Sequence, residues 1–425
     1  MKLPGSIAGK ARIAGQIREI VMSEQVLDIH THLYAPAFRE LLLWGIDDLL
    51  VYHYLVAEAF RYLEIPYERF WALSKTQQAD LIWQHLFLEH SPVSEACRGV
   101  LTTLQAFGLD VKKRDLPALR SWFKTQTVER HLDRCMTLAG VRRIFMTNSP
   151  FDDLERPVWE AGFAHDERFA ACLRIDPLLL SWPEAARRLA ACGYRVQPDR
   201  PSQRTFDEVR RFLADWTRQI KAHYLMVSLP SDFAFPAKNI TTQLIERAVL
   251  PHCREHGLPL ALMPGVKRAV NPELRLAGDG VGLVNLDGLQ NLCAGYPENK
   301  FLATILAREN QHEACVLARK FRNLHLFGCW WFTNVPTLID EITRLRLELL
   351  GLSFTPQHSD ARVLDQIVYK WQHSRQLIAD VLADKYFDLA QTGWQITRGE
   401  IERDVKELFG GGFQRFCGAR VAQVC

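Results

Sequence analysis

Several patterns that define common protein classes are missing from this sequence. The ten cysteines are scattered and form no CxxC pair, which excludes zinc-ribbon and thioredoxin-like proteins. No long basic run occurs, and 52 basic side chains nearly balance 49 acidic ones, so that the net charge is +3. This balance is typical of a mixed solvated surface and gives no indication of nucleic acid or a membrane as partner.

Long apolar segments are also absent. The first twenty residues lack an apolar core of signal-peptide length, and no stretch reaches the roughly 18 apolar residues of a membrane span. The predicted location is therefore the cytoplasm. Internal repeats and low-complexity segments, which would indicate an array of small units, do not occur either.

Short apolar runs separated by amphipathic segments are the main feature that the sequence does have. Each run is apolar at consecutive positions, as a parallel strand covered by helices on both faces must be. Eight runs are predicted as strands: Gln25–His30, Arg143–Thr147, Ala170–Ile175, Leu225–Leu229, Leu258–Met263, Phe301–Leu306, Leu324–Phe327 and Leu349–Phe354. Eight parallel strands alternating with helices favour a closed barrel, and the predicted fold is an α/β (β/α)₈ TIM-like barrel.

Two helical stretches depart from this alternation. About a hundred residues separate the first two predicted strands, and residues 35–140 are interpreted as a helical insertion rich in Trp, Tyr, Phe and His. Residues 363–425 are predicted to form C-terminal helices. A barrel with insertions commonly reaches this length, so the whole chain, 1–425, is predicted to be a single barrel domain.

Two histidines follow the first predicted strand in the sequence DIHTH. Because alternate side chains of a strand share one face, His30 and His32 are expected to point together from its carboxyl end. Active sites of such barrels lie at that end, and two neutral imidazoles can bind one divalent ion, zinc with manganese as the alternative. The competing interpretation is a pair of polar residues satisfied by hydrogen bonds.

Asp360 is the carboxylate expected to complete this set. It follows the last predicted strand, and in a closed barrel that strand lies beside the first. An ionised carboxylate can bind the same ion or move a proton, and Arg362 could hold a substrate oxyanion. A Ser-Asp pair before a helix is also a common helix cap, which is the alternative for Asp360.

These motifs, in their order along the chain, resemble those of the uronate isomerase family of the amidohydrolase superfamily. The resemblance covers nearly the full length. It is carried by seven further segments besides DIHTHL: His53-Tyr54 in YHYL, TNSPFDDLE at 147–155, Arg174 in LRIDP, Ser231-Asp232, ATIL at 303–306, FGCWWFTN at 327–334, and SDAR at 359–362. The resemblance implies a barrel of the metal-dependent hydrolase type and an isomerase.

The resemblance also implies a reaction and a role for each matching residue. Family members interconvert an aldose hexuronate, of the glucuronate or galacturonate type, and its ketose isomer through an enediol. The implied metal ligands are His30, His32 and Asp360. Asp360, Arg362, Tyr54 and His53 are the implied catalytic residues. Residues implied to bind or enclose the substrate are Arg174, Trp330, Trp331, Met263 and Arg268.

The sequence departs from the family pattern at the fifth strand. Where the family has HLGxxR, this chain has Met263 to Arg268, so that a thioether replaces the histidine. A thioether can neither act as an acid or base nor bind hard divalent ions well. We therefore expect a more apolar pocket.

Three functions stay open at this point: a uronate isomerase, a related hydrolase or lyase acting on another carboxylate, and a non-catalytic metal-binding barrel. A hydrolase usually needs further metal-binding histidines after the fifth and sixth strands, which are not found, and this favours the isomerase. The predicted partner is a small carboxylate sugar. The helical insertion and tail offer surface for a homo-oligomer, but no heptad points to one.

Overall fold

The computed structural model describes residues 7–418 and shows a parallel sheet that curls into a barrel. Its strands are β1 (Val26–Thr31), β2 (Val141–Asn148), β3 (Phe169–Arg174), β4 (Leu225–Pro230), β5 (Leu260–Lys267), β6 (Gly280–Val281), β7 (Phe301–Ala303) and β8 (Leu324–Leu326). The parallel order is β1-β2-β3-β4-β5-β7-β8, and the short β6 pairs antiparallel with β5. The predicted TIM-like barrel class is confirmed.

The barrel closes through an extended segment, residues 354–361, here called the closing segment. On one side Thr355 bridges to Phe327, just after β8. On the other side the Asp360 N–H donates to the His30 carbonyl at 3.1 Å, and the His32 N–H donates to the Ala361 carbonyl at 2.8 Å. The closing segment therefore lies between β8 and β1.

The predicted eighth strand, Leu349–Phe354, was wrong. Leu349 and Leu350 are the last residues of a helix that ends before Gly351, whose φ of +62° reverses the chain. Strand-like pairing begins only at Thr355. A short apolar run cannot be assigned to helix or strand from its hydrophobicity alone, which explains the error.

The helices fall into three groups along the chain. Before the second strand lie α1 (Ile7–Ser23), α2 (Ile46–Leu50), α3 (His53–Ala59), α4 (Tyr67–Trp71), α5 (Lys75–Trp83), α6 (Glu95–Ala106), α7 (Leu116–Lys124) and α8 (Val128–Ala139). Between β2 and the closing segment lie α9 (Glu155–Ala161), α10 (Asp176–Leu180), α11 (Trp182–Ala191), α12 (Gln203–Ile220), α13 (Ile240–Leu244), α14 (Leu250–His256), α15 (Asp287–Gly295), α16 (Gln311–Ala318) and α17 (Pro336–Leu350). After it come α18 (Gln366–Gln391), α19 (Arg398–Lys406) and α20 (Gly412–Cys417).

Short 3₁₀ and π turns connect several of these helices. They are Pro36–Leu41, Gln84–Leu88, Val111–Lys113, Ile245–Val249, Pro272–Gly278, Arg308–Asn310, Trp331–Thr333 and Glu407–Gly411.

Seven helices, α2 to α8, occupy the predicted insertion. That the whole chain forms a single domain stays a prediction, and residues 1–6 and 419–425 of the predicted domain lie outside the described residues. No helix among residues 7–418 is long and apolar enough to cross a membrane.

The interior of the barrel is filled with apolar side chains from the strands. Phe413 of α20 closes the amino-terminal end, since its ring lies 5.6 Å from Phe145 and 6.1 Å from Tyr224. The long α18 packs against α1, α8 and α17. Its buried Arg375 donates to the carbonyls of Val21, in the last turn of α1, and of Gly140, just after α8, and so joins the ends of both helices to α18. Because the interior is filled and the amino-terminal end is closed, the carboxyl end of the strands is where a site can open.

Acid is expected to destabilise this fold through buried neutral histidines. Burial lowers the pKa of His325 in β8 to about 3, against about 6.5 for an ordinary histidine. Between these values the unfolded chain takes up a proton that the folded chain does not, so stability falls as the pH falls. This residue contributes up to about 1.4 kcal/mol per pH unit.

Urea unfolding at pH 7, 6 and 5 measures this effect. We expect the free energy of unfolding to fall with pH, and to fall less steeply in His325→Gln, which can still hydrogen-bond to Thr355 but does not titrate. Equal pH slopes in the two proteins would contradict the assignment of a neutral buried imidazole.

Candidate metal centre and active-site cleft

Two imidazoles and one carboxylate meet at the carboxyl end of the barrel. The Asp360 Oδ1 lies 3.5 Å from the Nε2 of His30 and 3.4 Å from the Nε2 of His32. All three ligand atoms lie within 4.8 Å of one another. The structure therefore brings together the group that the sequence predicted, while the binding of an ion by it stays a prediction.

The spacing of these atoms fits a shared ion better than direct hydrogen bonds. Two ligands about 2.1 Å from one ion in tetrahedral geometry lie about 3.4 Å apart. The Oδ1 of Asp360 is buried and has no hydrogen-bond partner in the described structure. A buried carboxylate oxygen normally has a partner, so this orphaned atom is consistent with a cation site.

The protonation states of these groups suit metal binding. Burial, aided by the nearby Arg362, lowers the pKa of His32 to about 3, so its imidazole is neutral at pH 7. Burial would raise the pKa of Asp360, but the two imidazoles beside it outweigh that effect and hold the pKa well below its ordinary value. A neutral imidazole and an ionised carboxylate, as in His32 and Asp360, are the forms that bind a divalent ion.

The backbone around Asp360 is strained into this position. Its φ is +51°, in the left-handed region that costs a residue with a side chain roughly 1–3 kcal/mol. Its N–H binds the His30 carbonyl across the seam of the barrel. Such strain persists only where the surroundings fix the conformation, and it occurs typically at functional sites.

A cleft of about 530 Å³ opens next to the three ligands, and a smaller inner pocket adjoins it. The two cavities share four polar residues: His32, His53, Arg174 and Arg362. The cleft continues between α3, α4 and the turn after β5, where Trp71 and Arg275 stack with 4.6 Å from guanidinium to ring. An anionic polar ligand therefore has a concave site beside the candidate metal centre.

Three arginines predicted from the sequence line the inner pocket. The side chain of Arg174 is partly buried, and its guanidinium forms an ion pair with the Asp176 carboxylate at 2.6 Å. Arg268 is paired with Asp279 and stays half-exposed. The guanidinium of Arg362 makes no hydrogen bond or ion pair within residues 7–418. Arg362 is thus the cation most available to a ligand.

The predicted aromatic wall is also present. Trp330 and Trp331 both line the inner pocket. The indole N–H of Trp331 is buried and lacks a hydrogen-bond partner in the described structure. The ring of His53 lies 5.8 Å from that of Trp331. Burial and the nearby Arg362 lower the pKa of His53 well below its ordinary value, so this imidazole is neutral.

Two predicted residues lie away from the open space. Tyr54 packs behind His53, with ring centroids 4.6 Å apart, and lines neither cavity. Its hydroxyl is buried without a partner in the described structure, and burial raises its pKa well above the ordinary value. Met263 is fully buried in the barrel interior and lines neither cavity. Their proposed contacts with a substrate stay predictions.

A second group with potential ligand atoms lies inside the helical layer. It consists of His131, Cys135 and Asp365, all fully buried. Here the imidazole Nε2 and the carboxylate Oδ1 are only 2.6 Å apart, which is a direct hydrogen bond and too close for two ligands of one ion. The rings of Trp44 and Phe107 pack against His131. This group is therefore structural.

Several residues close to the centre were missed by the sequence analysis. His358 is fully buried with its ring 5.0 Å from that of His30, and neither of its nitrogens has a partner in the described structure. Asp28 and Lys370 hold the backbone of Ser359, directly before Asp360. Asp28 is the first residue of the DIHTH motif that contains His30 and His32, so the sequence did offer a signal for it. Nothing in the local pattern around Lys370 distinguishes it from other lysines of an amphipathic helix.

Comparison with known proteins identifies the family. No protein-family profile and no curated protein sequence matches the chain. A solved uronate isomerase from Bacillus halodurans is 50% identical over 99% of this chain and 100% of its own, with a TM-score of 0.96. The uronate isomerase of Thermotoga maritima and the glucuronate isomerase of Caulobacter crescentus are 16% and 15% identical and cover 95% and 97% of this chain, each with a TM-score of 0.76.

The fold and the site define a (β/α)₈-barrel isomerase with a candidate metal centre at the carboxyl end of its strands. The two distant structures support the fold. The 50% identity to the Bacillus halodurans protein, over essentially the full length of both chains, is evidence for the family as well as for the fold. The chain belongs to the uronate isomerase family.

Substitution of Gly328 tests how closely the backbone packs against His358. Its φ is +66°, and an added Cβ would lie 1.8 Å from the His358 ring. We expect Gly328→Ala to lower the free energy of unfolding by more than about 2 kcal/mol and to displace His358. Gly15→Ala in α1 is the control, because an added Cβ there meets nothing within 4 Å and should stabilise by up to about 1 kcal/mol.

Chemical unfolding of the three proteins measures both changes. A Gly328→Ala protein as stable as the wild type would mean that the close contact between Gly328 and His358 does not exist in solution.

Proposed function

We propose that this chain interconverts an aldose hexuronate, of the glucuronate or galacturonate type, and its ketose isomer. The observation that carries the proposal is the 50% identity, over the full chain, to a solved uronate isomerase. The arrangement of His30, His32, Asp360 and Arg362 around one cleft supports it. No observation favours the hydrolase, the lyase or the non-catalytic barrel.

The reaction needs no co-reactant. The hydrogen on C2 leaves as a proton and a proton is added at C1, while the hydroxyl proton on O2 is lost and one is gained at O1. An enediol is the intermediate between the loss of the proton from C2 and the gain of a proton at C1, and its oxygens carry developing negative charge. The site must therefore move protons between neighbouring carbons and place cations or donors at two oxygens.

The arginines supply the fixed positive charge in the proposal. Arg174 is assigned to the carboxylate of the substrate, since a guanidinium binds a carboxylate through two parallel hydrogen bonds. Arg362, whose guanidinium has no partner within residues 7–418, is assigned to the oxygens that become negative. The N–H of Trp331 is a further donor, and the two indoles exclude water from one side.

Three groups are assigned to proton transfer. Asp360 is ionised and buried, and a buried carboxylate beside the reacting carbons can accept a proton. His53 is neutral, lines both cavities and can stabilise the proton-transfer step. Tyr54 keeps its proton at neutral pH and has a free hydroxyl, so it can act as a donor if the ring of His53 shifts.

One divalent ion, zinc with manganese as the alternative, is proposed at His30, His32 and Asp360. When bound, it would act as a Lewis acid that polarises the substrate carbonyl. Two imidazoles and a carboxylate are a donor set that zinc accepts. A cytoplasmic location and a homo-oligomer also stay proposals.

Assay of ketose formation from glucuronate and galacturonate tests the proposed reaction. The purified protein is loaded with zinc or manganese, and the products are identified by NMR. We expect conversion of at least one of the two uronates at a rate typical of an enzyme, above roughly 1 s⁻¹. No turnover of either, by a folded protein that holds one metal ion per chain, would contradict the proposal.

Removal of the Asp360 carboxylate is expected to abolish both metal retention and turnover. Asp360→Asn loses an anionic ligand and a proton acceptor, so we expect at least a 1000-fold lower kcat/KM and a metal content well below one per chain. Metal analysis and initial rates measure the two effects. Asp380→Asn, on the exposed face of α18, is the control and should behave as the wild type. Full metal content with normal turnover in Asp360→Asn would show that Asp360 is not a ligand.

Arg174→Lys tests the carboxylate contact. Lysine keeps the charge but cannot bind a carboxylate through two parallel hydrogen bonds, so we expect a KM about ten times higher with a smaller change in kcat. Initial rates against substrate concentration separate the two constants. Arg168→Lys, whose guanidinium pairs with Asp166 at 2.7 Å before β3 and far from the cleft, is the matched control. An unchanged KM in Arg174→Lys would place the substrate carboxylate elsewhere.

A further inference from the structure

The backbone of Ser359, directly before Asp360, is held at both its N–H and its carbonyl by buried side chains, and the carbonyl also accepts from the Asn334 amide at 3.2 Å. The Ser359 N–H donates to the Asp28 Oδ1 at 2.8 Å. The Lys370 Nζ donates to the Ser359 carbonyl at 2.7 Å. Asp28 is 0% and Lys370 1% exposed, so neither contact is weakened by solvent. Hydrogen bonds to charged groups are among the stronger ones in proteins.

These contacts tie three elements to one point. Asp28 stands in β1, two residues before His30. Its second oxygen accepts from the indole N–H of Trp371 at 2.9 Å, next to Lys370 on α18. The closing segment, β1 and α18 are therefore fixed to one another directly beside the candidate metal ligands. The group formed by Asp28, Ser359 and Lys370 is called the clamp below.

The clamp acts where the backbone most needs support. Asp360 follows Ser359 directly and has a φ of +51°. A strained residue keeps its conformation only if its neighbours fix it. If the backbone at Ser359 were free to rotate, the Asp360 side chain would turn with it, and Oδ1 would leave its place between the two imidazoles.

We propose that Asp28 and Lys370 are positioning residues that set the metal affinity of the His30, His32 and Asp360 group by fixing the backbone on both sides of Ser359. This inference rests on the proposed function, because it requires that the group binds an ion. Neither residue contacts the ion or the substrate in the proposal.

Electrostatics and positioning make opposite predictions for Lys370. The ammonium group is a cation near the centre, and like charges repel. If Lys370 acted only through its charge, its removal would tighten the binding of a divalent cation. If it acts by holding the Ser359 carbonyl, its removal weakens binding. The sign of the change therefore distinguishes the two.

Lys370→Met is the variant that tests this difference. Methionine is apolar and of similar length, so it occupies the buried space without donating to the carbonyl. The full chain is stripped of metal, and its zinc Kd is measured at pH 7 by competition with a chelator. We expect Lys370→Met to raise the Kd at least tenfold. A Kd equal to or lower than that of the wild type would overturn the proposal.

Arg375→Met is the matched control on the same helix. Arg375 is also a buried cation that donates to backbone carbonyls, but those belong to Val21, Glu24 and Gly140. Both variants lose a buried cation and are expected to lose stability. The zinc Kd of Arg375→Met should stay within twofold of the wild type. A tenfold rise there as well would mean that general destabilisation weakens metal binding, and would overturn the positioning role.

Trp371→Phe tests the same clamp without any change of charge. It removes one donor to Asp28 and leaves Lys370 in place, so a smaller rise of the zinc Kd, about threefold, is expected. If Lys370→Met does not fold, an unchanged Kd in Trp371→Phe overturns the proposal. A wild-type chain that binds neither zinc nor manganese would overturn the proposed function itself, and this is seen before any variant is compared.

Discussion

The structure depends on the pairing of β1 with the closing segment. Two hydrogen bonds across this seam join His30 and His32 to Asp360 and Ala361, residues more than 300 positions away. The same pairing completes the barrel and brings the carboxylate to the two imidazoles. Fold and site therefore cannot be separated here: a chain that failed to close the barrel would have no metal group, and the strained Asp360 could not persist without the closed barrel.

The polar groups around this seam are costly to bury, and the structure offsets the cost by pairing them. Asp28 accepts from Ser359 and Trp371, and Lys370 donates to a carbonyl, so the buried charges have partners. The Oδ1 of Asp360 has no partner in the described structure, although it is the carboxylate oxygen that lies between the two imidazoles. A buried anionic oxygen left without a donor indicates where an external cation belongs.

Much of this could be predicted from the sequence, because local patterns determine it. Apolar runs gave seven strands close to their observed positions, and the HxH spacing placed His30 and His32 together. The last strand was misplaced, since Leu349–Phe354 is as apolar at the end of a helix as it would be in a sheet. Lys370 could not be found at all: its role comes from a contact with Ser359 that only tertiary packing creates. Residues that act through long-range contacts leave no periodic signal.

The replacement of the family's histidine by Met263, within β5, also has a physical interpretation in this fold. Met263 is fully buried among the apolar side chains of the barrel interior, where a neutral thioether needs no hydrogen-bond partner and an imidazole would need one. The polar side chains of the cleft come from other elements: Arg174 is the last residue of β3, His53 lies on α3, and Arg362 lies beside the seam. Losing one polar side chain from β5 is therefore compatible with the same chemistry, because the candidate metal group, Arg174 and Arg362 all lie on other elements.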